Sequence, residues 1–313
     1  MTKPLFTIAI PSFNRLNYLK EAINSVLNQS FRDFELIIID DCSTENIWEY
    51  LLTIKDERVK IFRNSKNLGI APNWRRCIEE ASVKWFKFLM ADDVMFKDSL
   101  FILNNLINKY PENKVIVTSG IDFKNIFEIE DYLKTNNRNL VDADKFLIPM
   151  EKIINLRKRF IQTWAMPNSY TLLTKDLKEL IKSKTYQEVE KNLGKTGHCV
   201  DYFILYSIAI KYKTMIEMDV PLYGVRNHET NFSKTYNQNL LYHLSGDKYI
   251  HYMLYSYKGI ENLFIIKHAF KIYFNKILSN KRVIFSLLFF KWTFQLFIFL
   301  FCHLFGIKVT LNN

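Results

Sequence analysis

The chain has 313 residues, and 49% of them are apolar, which supports a large folded core and excludes an intrinsically disordered chain. The formal net charge is +11. Because most of this excess lies near the C-terminus, the total charge does not by itself indicate a nucleic-acid-binding protein, and we expect no nucleic-acid partner.

Strand-like and helix-like segments alternate over the first part of the chain. The predicted strands are residues 5–10, 34–39, 59–62, 85–90 and 115–119. The predicted helices are residues 18–28, 47–54, 72–81 and 99–109. This alternation predicts βαβ units and a mostly parallel sheet of a nucleotide-binding type. The first part has neither a Gly-x-Gly-x-x-Gly loop nor a P-loop, which excludes the usual dinucleotide and P-loop sites.

The alternation weakens after about residue 123. Residues 131–144 are polar and predict a loop, and residues 150–160 predict a basic helix. The remaining predicted elements are a segment at 169–173, helices at 175–182 and 200–211, and a segment at 215–225. The second half is therefore expected to be less regular than the first.

Two Asp-Asp pairs close two of the predicted strands, Asp40-Asp41 after residues 34–39 and Asp92-Asp93 after residues 85–90. Adjacent carboxylates at a buried strand end repel each other and resist desolvation, and a hard divalent cation relieves both effects. In an open α/β sheet, ligands bind just outside the carboxyl ends of the strands. The two pairs therefore predict a site for a metal and a polar, anionic ligand.

Five linked motifs in roughly the first 100 residues resemble the N-terminal half of the family 2 glycosyltransferases with the GT-A fold. These motifs are residues 10–15, 25–31, 34–43, 67–69 and 91–93. Residues 197–201 and 223–228 are similar to the acceptor-side motifs of that family. The resemblance implies an α/β, GT-A fold with a Rossmann-like mixed sheet, and an inverting sugar transfer from a nucleotide-diphosphate sugar with Mg²⁺ or Mn²⁺.

The resemblance also implies how the donor is held. Asp41 would accept a hydrogen bond from the nucleotide base, with Pro11 and Asn14 lining the same pocket and Ser12 also binding the nucleotide-sugar. Asp92 would hold the ribose. The nucleotide-sugar-binding set also includes Asn67, Arg75 and Asp40, of which Asp40 is expected mainly to bind backbone N–H groups.

Three residues would serve the metal and the acceptor. By the same resemblance Asp93 would bind the metal that bridges the diphosphate, and His228 would approach that metal or the diphosphate. One protein carboxylate suffices because Mg²⁺ keeps waters and takes substrate phosphates. Asp201 is the candidate general base, and a positioned base contributes about 10²- to 10⁴-fold in rate. Its alternative role is as a helix N-cap.

The chain departs from the family pattern at three positions. Cys42 stands where the family usually has Gly, and Lys84 lies where a Gly-Glu pair commonly precedes the fourth strand. Val200 replaces the acid that commonly precedes the base, which weakens the assignment of Asp201.

The cysteines and the N-terminus indicate the compartment. The cysteines are Cys42, Cys77, Cys199 and Cys302, and they form no Cys-x-x-Cys pair. This spacing excludes a zinc site and a disulfide framework and favours a reducing compartment. The first residues show no secretory leader pattern, so we expect the main domain to be cytosolic.

The C-terminal part predicts membrane attachment. Residues 263–313 contain seven Lys or Arg residues and no Asp or Glu, and residues 283–301 form an apolar run interrupted by Lys291. This pattern favours basic, amphipathic helices in an anionic membrane interface, at the cytoplasmic face. The alternatives are a true membrane span and a buried or dimer-forming helix.

Together these observations divide the chain into a GT-A domain at residues 1–238 and a helical tail at 239–313. Within the domain, residues 1–122 would hold the nucleotide-sugar and 123–238 would shape the acceptor site. Membrane attachment favours a lipid-linked glycan acceptor in the synthesis of a surface polysaccharide such as O-antigen or capsule. The alternatives are a metal-dependent nucleotidyltransferase and a non-catalytic membrane scaffold that retains the fold.

Overall fold

The computed structural model describes residues 4–128, 147–149, 166–193, 197, 200–209, 211–212 and 214–229. These residues form one nine-stranded sheet with helices on both faces. The predicted loop at 131–144, the predicted basic helix at 150–160 and the predicted tail at 239–313 lie outside the described residues.

The strands are β1 (Phe6–Ser12), β2 (Phe34–Asp40), β3 (Val59–Arg63), β4 (Trp85–Phe88), β5 (Val94–Met95), β6 (Val115–Phe123), β7 (Leu147–Pro149), β8 (Tyr170–Leu173) and β9 (Thr214–Arg226). The helices are α1 (Leu16–Leu27), α2 (Ile47–Leu52), α3 (Ile70–Glu80), α4 (Ser99–Lys109), α5 (Thr174–Ile181), α6 (Lys184–Leu193) and α7 (Val200–Ala209). A short 3-10 turn, Pro167–Ser169, precedes β8.

The sheet has a parallel part and a mixed part. Its strand order is β3-β2-β1-β4-β8-β6-β9-β5, and β7 also pairs with β9. The first four strands run parallel to one another. Strand β8 is antiparallel to both β4 and β6, whereas β9 is parallel to β6 and antiparallel to β5 and β7. The prediction of a mostly parallel sheet is correct for the first four strands, and the added strands make the whole sheet mixed.

Strand β2 shows why the first half forms as predicted. All seven of its residues are buried, because helices cover both faces of the sheet. Leu36 and Ile38 pack on one face with α1, α2 and α4, while Ile37 and Ile39 pack on the other with α3, α5, α6 and α7. A strand buried on both sides requires a continuous apolar run, which is the pattern in the sequence.

The structure also contains elements that the sequence pattern does not predict. Strand β5 has only two residues, too few for a periodicity to be recognised, and β7 has three. Helix α6 buries only Tyr186 and Val189, so its apolar stripe is narrow. Strand β6 continues to Phe123, so the proposed boundary between the two halves of the domain, at 122/123, lies inside this strand. Among the helices of the described residues, none has the length and apolar character needed to cross a bilayer.

Candidate active site

The carboxyl ends of β2, β1 and β4 lie side by side because these strands are parallel neighbours. In register, Ser12 of β1 pairs with Asp40 of β2, and Ala9 pairs with Phe88 of β4. Both acid pairs therefore follow strands that flank β1. The loop after β1 lies between them.

This loop is hydrogen-bonded to both acid-bearing segments. Asn14 and Arg15 both adopt left-handed backbone conformations, with φ of 56° and 64°. The Asn14 N–H donates to Ser43 Oγ at 2.8 Å, and Asn14 Oδ1 accepts the Thr44 N–H at 2.9 Å. The next residue, Arg15, donates from Nη1 to Asp92 Oδ2 at 2.7 Å. Two adjacent residues thus connect the end of β2 with the end of β4.

Asp41 is buried and accepts three hydrogen bonds. Its Oδ1 accepts from Asn64 Nδ2 at 2.7 Å and from the Leu68 N–H at 2.9 Å, and its Oδ2 accepts from the Gly69 N–H at 2.9 Å. Gly69 has a φ of 91°, which an L-residue rarely adopts. Since a carboxylate offers about four acceptor positions, one position of Asp41 remains for a donor group of a ligand. Asn67, which directly precedes Leu68, is exposed.

Asp40 and Ser12 complete the β1–β2 end of the site. Asp40 Oδ1 accepts the Ser43 N–H at 2.9 Å, and Oδ2 lies 3.2 Å from Arg63 Nε. The Ser12 hydroxyl is buried and has no hydrogen-bond partner among the described residues. Pro11, its neighbour in β1, pairs in register with Ile39. An unpartnered buried hydroxyl at this edge is available to a polar ligand.

Asp92 is held by two groups that favour its ionised form. Its Oδ2 accepts from Arg15, and it lies 3.1 Å from His228 Nε2. Burial raises the pKa of Asp92, but the His228 hydrogen bond and the Arg15 charge outweigh burial, so the pKa lies below its usual value. The His228 ring also packs against Tyr18, with ring centroids 5.2 Å apart.

Asp93 is in the opposite electrostatic situation. Burial, followed by the charge of Asp92, raises its pKa well above the usual value, although the Arg226 N–H and the Asn168 amide bind its carboxyl group. The Arg226 N–H donates to Oδ1 at 2.8 Å, and Asn168 Nδ2 donates to Oδ2. A cation beside Asp93 would stabilise its ionised form.

The ligand groups near Asp93 fit a divalent cation that takes most of its ligands from substrate and water. Asp93 supplies carboxylate oxygens that retain acceptor capacity, and His228 lies beside the adjacent Asp92. Within the ranges that the structure describes, no cluster of three or more His, Cys, Asp or Glu residues is suited to hold a metal without such help. A phosphate-bearing ligand would supply the missing oxygens.

Arg226 is a buried site residue that the sequence analysis did not single out. Its guanidinium lies between the rings of Tyr18 and Phe123, 4.6 Å and 4.5 Å from the two centroids. Its Nε donates to the Asp92 carbonyl at 3.0 Å, and its Nη2 pairs with Glu21. Its place in the motif at residues 223–228 was a signal available in the sequence. Arg226 thereby connects β9, α1 and the loop that carries the second acid pair.

Arg75, which the resemblance places in the nucleotide-sugar-binding set, pairs with two carboxylates, and its neighbour Arg76 has different partners. Arg75 donates from Nε to Glu190 at 2.9 Å and from Nη1 to Glu79 at 3.0 Å, so its guanidinium joins α3 to α6. Arg76 instead donates to the side-chain oxygen of Asn64, which also binds Asp41. The arginine that contacts the network around Asp41 is therefore Arg76.

Asp201 is the second residue of α7, and its Oδ1 accepts the Tyr202 N–H at 2.9 Å. It lies close enough to Tyr170 that its charge, after the larger effect of burial, raises the pKa of that phenol well above its usual value. Tyr170 begins β8 and follows Asn168, a partner of Asp93, by two residues. This places Asp201 near the β8 side of the same sheet.

The mixed sheet matches the GT-A class of nucleotide-diphospho-sugar transferase folds. The family model described as Glycosyl transferase family 2 matches residues 7–181, more than half of the chain, and the chain belongs to this family. The family generally uses divalent metal ions.

Two known glycosyltransferases are similar to parts of this chain. An uncharacterised glycosyltransferase of Rickettsia conorii is 35% identical over 141 residues, which are 45% of this chain and 22% of the relative. The Escherichia coli protein WfgD, a UDP-Glc:alpha-D-GlcNAc-diphosphoundecaprenol beta-1,3-glucosyltransferase, is 28% identical over 123 residues, 37% of this chain and 49% of WfgD. The chain thus spans at most about half the length of these two relatives.

A solved structure shares the fold. The crystal structure of S. aureus TarS 1–349 in complex with UDP-GlcNAc matches with a TM-score of 0.61 and 14% sequence identity. The match covers 90% of this chain and 75% of that one. The predicted GT-A fold is confirmed for the described residues.

Proposed function

We propose that the protein transfers a sugar from a nucleotide-diphosphate sugar to an acceptor hydroxyl, with inversion at the anomeric carbon. The observation that carries this proposal is the loop after β1. Asn14 binds the segment after Asp41, and Arg15 binds Asp92, so both acid pairs lie beside the same loop, where one ligand would meet both. A nucleotide base binds through neutral hydrogen bonds, whereas a diphosphate requires positive charge. The two pairs differ in the same way, because Asp41 is bound by neutral N–H donors and Asp92 by the cationic Arg15.

The donor is proposed to be a uridine-diphosphate sugar. TarS has been crystallised with UDP-GlcNAc, and the name of WfgD specifies UDP-Glc. In this chain the remaining acceptor position of Asp41 would bind the base, with Pro11, Ser12 and Asn14 beside it. Asp92 would accept hydrogen bonds from the ribose, while Arg15 and His228 supply positive charge or N–H donors near the diphosphate.

Mg²⁺ or Mn²⁺ would be held by Asp93, with His228 as the nearby second group. When bound, the cation would neutralise the charge that develops on the leaving diphosphate, an effect worth several kcal/mol. The protein residues supply the remaining steps. Asp201 would accept the proton of the acceptor hydroxyl as its oxygen forms a bond to the anomeric carbon, while the bond from that carbon to the diphosphate oxygen breaks.

The acceptor is proposed to be a lipid-linked glycan of a bacterial surface polysaccharide. The name of WfgD specifies a diphosphoundecaprenol-linked sugar as its acceptor. Residues 263–313 carry seven basic and no acidic residues, which would favour attachment to the anionic cytoplasmic face of a membrane.

Truncation after Gln238 should shift the protein from the membrane fraction to the soluble fraction. Unchanged sedimentation would contradict a role of the tail in anchoring.

A donor screen tests the central proposal. Purified protein is heated with Mn²⁺ and each of UDP-, GDP-, CDP- and dTDP-sugars, because a ligand of the native state raises the melting temperature by mass action. We expect stabilisation by a UDP-sugar, and release of UDP when the correct acceptor is added. Stabilisation by a nucleoside triphosphate with release of pyrophosphate would instead identify a nucleotidyltransferase. Absence of any nucleotide-sugar binding or hydrolysis would favour a scaffold.

A further inference from the structure

A buried amide from the second half of the chain contacts the acid assigned to the metal. Asn168 lies in the turn before β8, and it is 0% exposed. Its Nδ2 donates to Asp93 Oδ2, and its Oδ1 accepts the Met90 N–H at 2.8 Å. Both ends of this side-chain amide are therefore bound to the segment that carries the second acid pair.

These two hydrogen bonds determine which way the amide faces. The Met90 N–H is a donor and must meet the amide oxygen, so the NH₂ group is directed at Asp93. The other oxygen of Asp93 accepts the Arg226 N–H at 2.8 Å. With one donor on each oxygen, from two distant parts of the chain, the plane and rotamer of the Asp93 carboxyl are constrained.

Asn168 is itself held by a buried cation. Lys87 of β4 is 0% exposed, and its ammonium donates to the main-chain carbonyl of Asn168. The same ammonium lies 5.5 Å from the centre of the Tyr223 ring. A buried ammonium is costly unless it has such partners, and a carbonyl and an aromatic face offset part of that cost. Lys87 thus joins β4 to the turn that carries Asn168.

We propose that Asn168, held in place by Lys87, is a positioning residue that orients the Asp93 carboxylate for a divalent cation and the donor diphosphate. This inference rests on the proposed function. Groups that bind the ligands of a metal orient them, and their loss typically lowers metal affinity by about 10- to 100-fold. Asn168 belongs to the half of the chain assigned to the acceptor, so the second half also shapes the donor site.

Mn²⁺ binding by Asn168→Ala tests the proposal. The free Mn²⁺ signal in electron paramagnetic resonance gives the Kd in the presence of saturating UDP, and calorimetry gives the Kd of UDP alone. We expect the Mn²⁺ Kd to rise about 10- to 100-fold, with the metal-free UDP Kd changed less than about twofold. The matched control is Asn113→Ala, which removes another buried amide, paired with Glu112 after α4. An unchanged Mn²⁺ Kd in folded Asn168→Ala would overturn the proposal.

Lys87→Met provides a second test that leaves the side chains of Asn168 and Asp93 intact. We expect an intermediate weakening of Mn²⁺ binding, about 3- to 10-fold, because Asn168 keeps its amide but loses the group that holds its main chain. If Asn168→Ala does not fold, an unchanged Mn²⁺ Kd in Lys87→Met overturns the inference. Wild-type protein that binds no Mn²⁺ with UDP would overturn the metal-dependent function itself.

Discussion

The two acid pairs occupy equivalent positions after parallel strands, yet their second members are held by different parts of the chain. Asp41 is bound by Asn64, Leu68 and Gly69, which lie 23 to 28 residues away along the sequence. Asp93 is bound by Asn168 and Arg226, which lie 75 and 133 residues away. The first acid is thus held by its own half of the chain, and the second only when both halves are assembled.

This difference suggests a division of roles. Asp41 is bound by two backbone N–H groups and an amide, a rigid arrangement suited to a hydrogen bond with a nucleotide base. Burial and the neighbouring charge of Asp92 raise the pKa of Asp93, so a bound cation would stabilise its ionised form. Asp41 should therefore matter more to folding and Asp93 more to the reaction.

Replacement of Asp93 should have the largest effect on activity. Asp93→Ala is expected to lower kcat/KM for transfer by about 10³-fold or more, because several kcal/mol of charge stabilisation is lost. Binding of UDP without metal should persist, as measured by calorimetry. Asp98→Ala, at an exposed carboxylate before α4, is the control and should leave turnover unchanged. Metal-dependent turnover in Asp93→Ala at the wild-type rate would exclude the metal role.

Replacement of Asp201 should separate the acceptor step from donor binding. Asp201→Asn keeps the size of the side chain and its acceptor for the Tyr202 N–H, but it removes the basic carboxylate. We expect kcat to fall by about 10²- to 10⁴-fold with the Kd of the UDP-sugar unchanged. Normal turnover would show that another group accepts the proton.

Replacement of Asp41 should have a larger effect on stability than replacement of Asp93. Asp41→Ala leaves Asn64 Nδ2 and two backbone N–H groups without their acceptor, and we expect a loss of about 3 kcal/mol. The loss in Asp93→Ala should be smaller, because the repulsion between Asp93 and Asp92 is also removed. Urea unfolding of both variants and of Asp41→Asn measures the difference. Equal losses in the two alanine variants would contradict the contrast drawn between these acids.

Lys87→Met should stabilise the protein in a pH-dependent manner. Burial lowers the pKa of Lys87 to about 7, from about 10.4 for an unfolded lysine. The unfolded chain therefore binds more protons between pH 7 and 10, so the contribution of Lys87 to stability rises with pH across this range and is least favourable below pH 7. Removing the buried ammonium should therefore add stability at low pH, reduced by about 1–3 kcal/mol for the Asn168 carbonyl that loses its donor.

This gain should be larger at pH 6 than at pH 9, as measured by urea unfolding of wild type and Lys87→Met at both pH values. If Lys87→Met is more stable than wild type but binds Mn²⁺ more weakly, Lys87 contributes to metal binding and not to the stability of the fold. A gain that is independent of pH would show that Lys87 has an ordinary pKa.

Cys42 should give the smallest effect. It lies between Asp41 and Ser43 with a φ of 60°, where the family usually has Gly. Cys42→Gly removes left-handed strain of about 1 kcal/mol but increases the entropy of the unfolded chain. We expect a gain in stability of less than about 1 kcal/mol, whereas Cys42→Val should lose about 1 kcal/mol or more. Urea midpoints of the two variants should therefore lie on opposite sides of wild type.

The prediction of the first half succeeded because its signals are local. Strands buried on both faces appear as continuous apolar runs, and helices α1 and α3 appear as periodic segments between them. Parallel neighbours end at the same edge, so the positions of both acid pairs follow from the strand order. The five motifs then indicated the family, and the family model confirms it.

The prediction of the second half and of the supporting residues was limited because their roles depend on long-range contacts. Arg75 and Arg76 are indistinguishable by local pattern, and only the packing of α6 decides that Arg75 pairs with Glu190. Strand β5 is two residues long and exists because β9 returns beside it. Such elements have no periodicity of their own to detect.

Apolar runs and motifs within about 100 residues are sufficient to predict the parallel strands β1 to β4, the family and the location of both acid pairs. How each acid is held depends on contacts between distant parts of the chain. Asn168, Lys87 and Arg226 acquire their roles when β8 and β9 pack beside the first half and bring their polar groups against Asp92 and Asp93. Hydrogen bonds between groups far apart in the chain leave no local pattern, so only the assembled sheet reveals them.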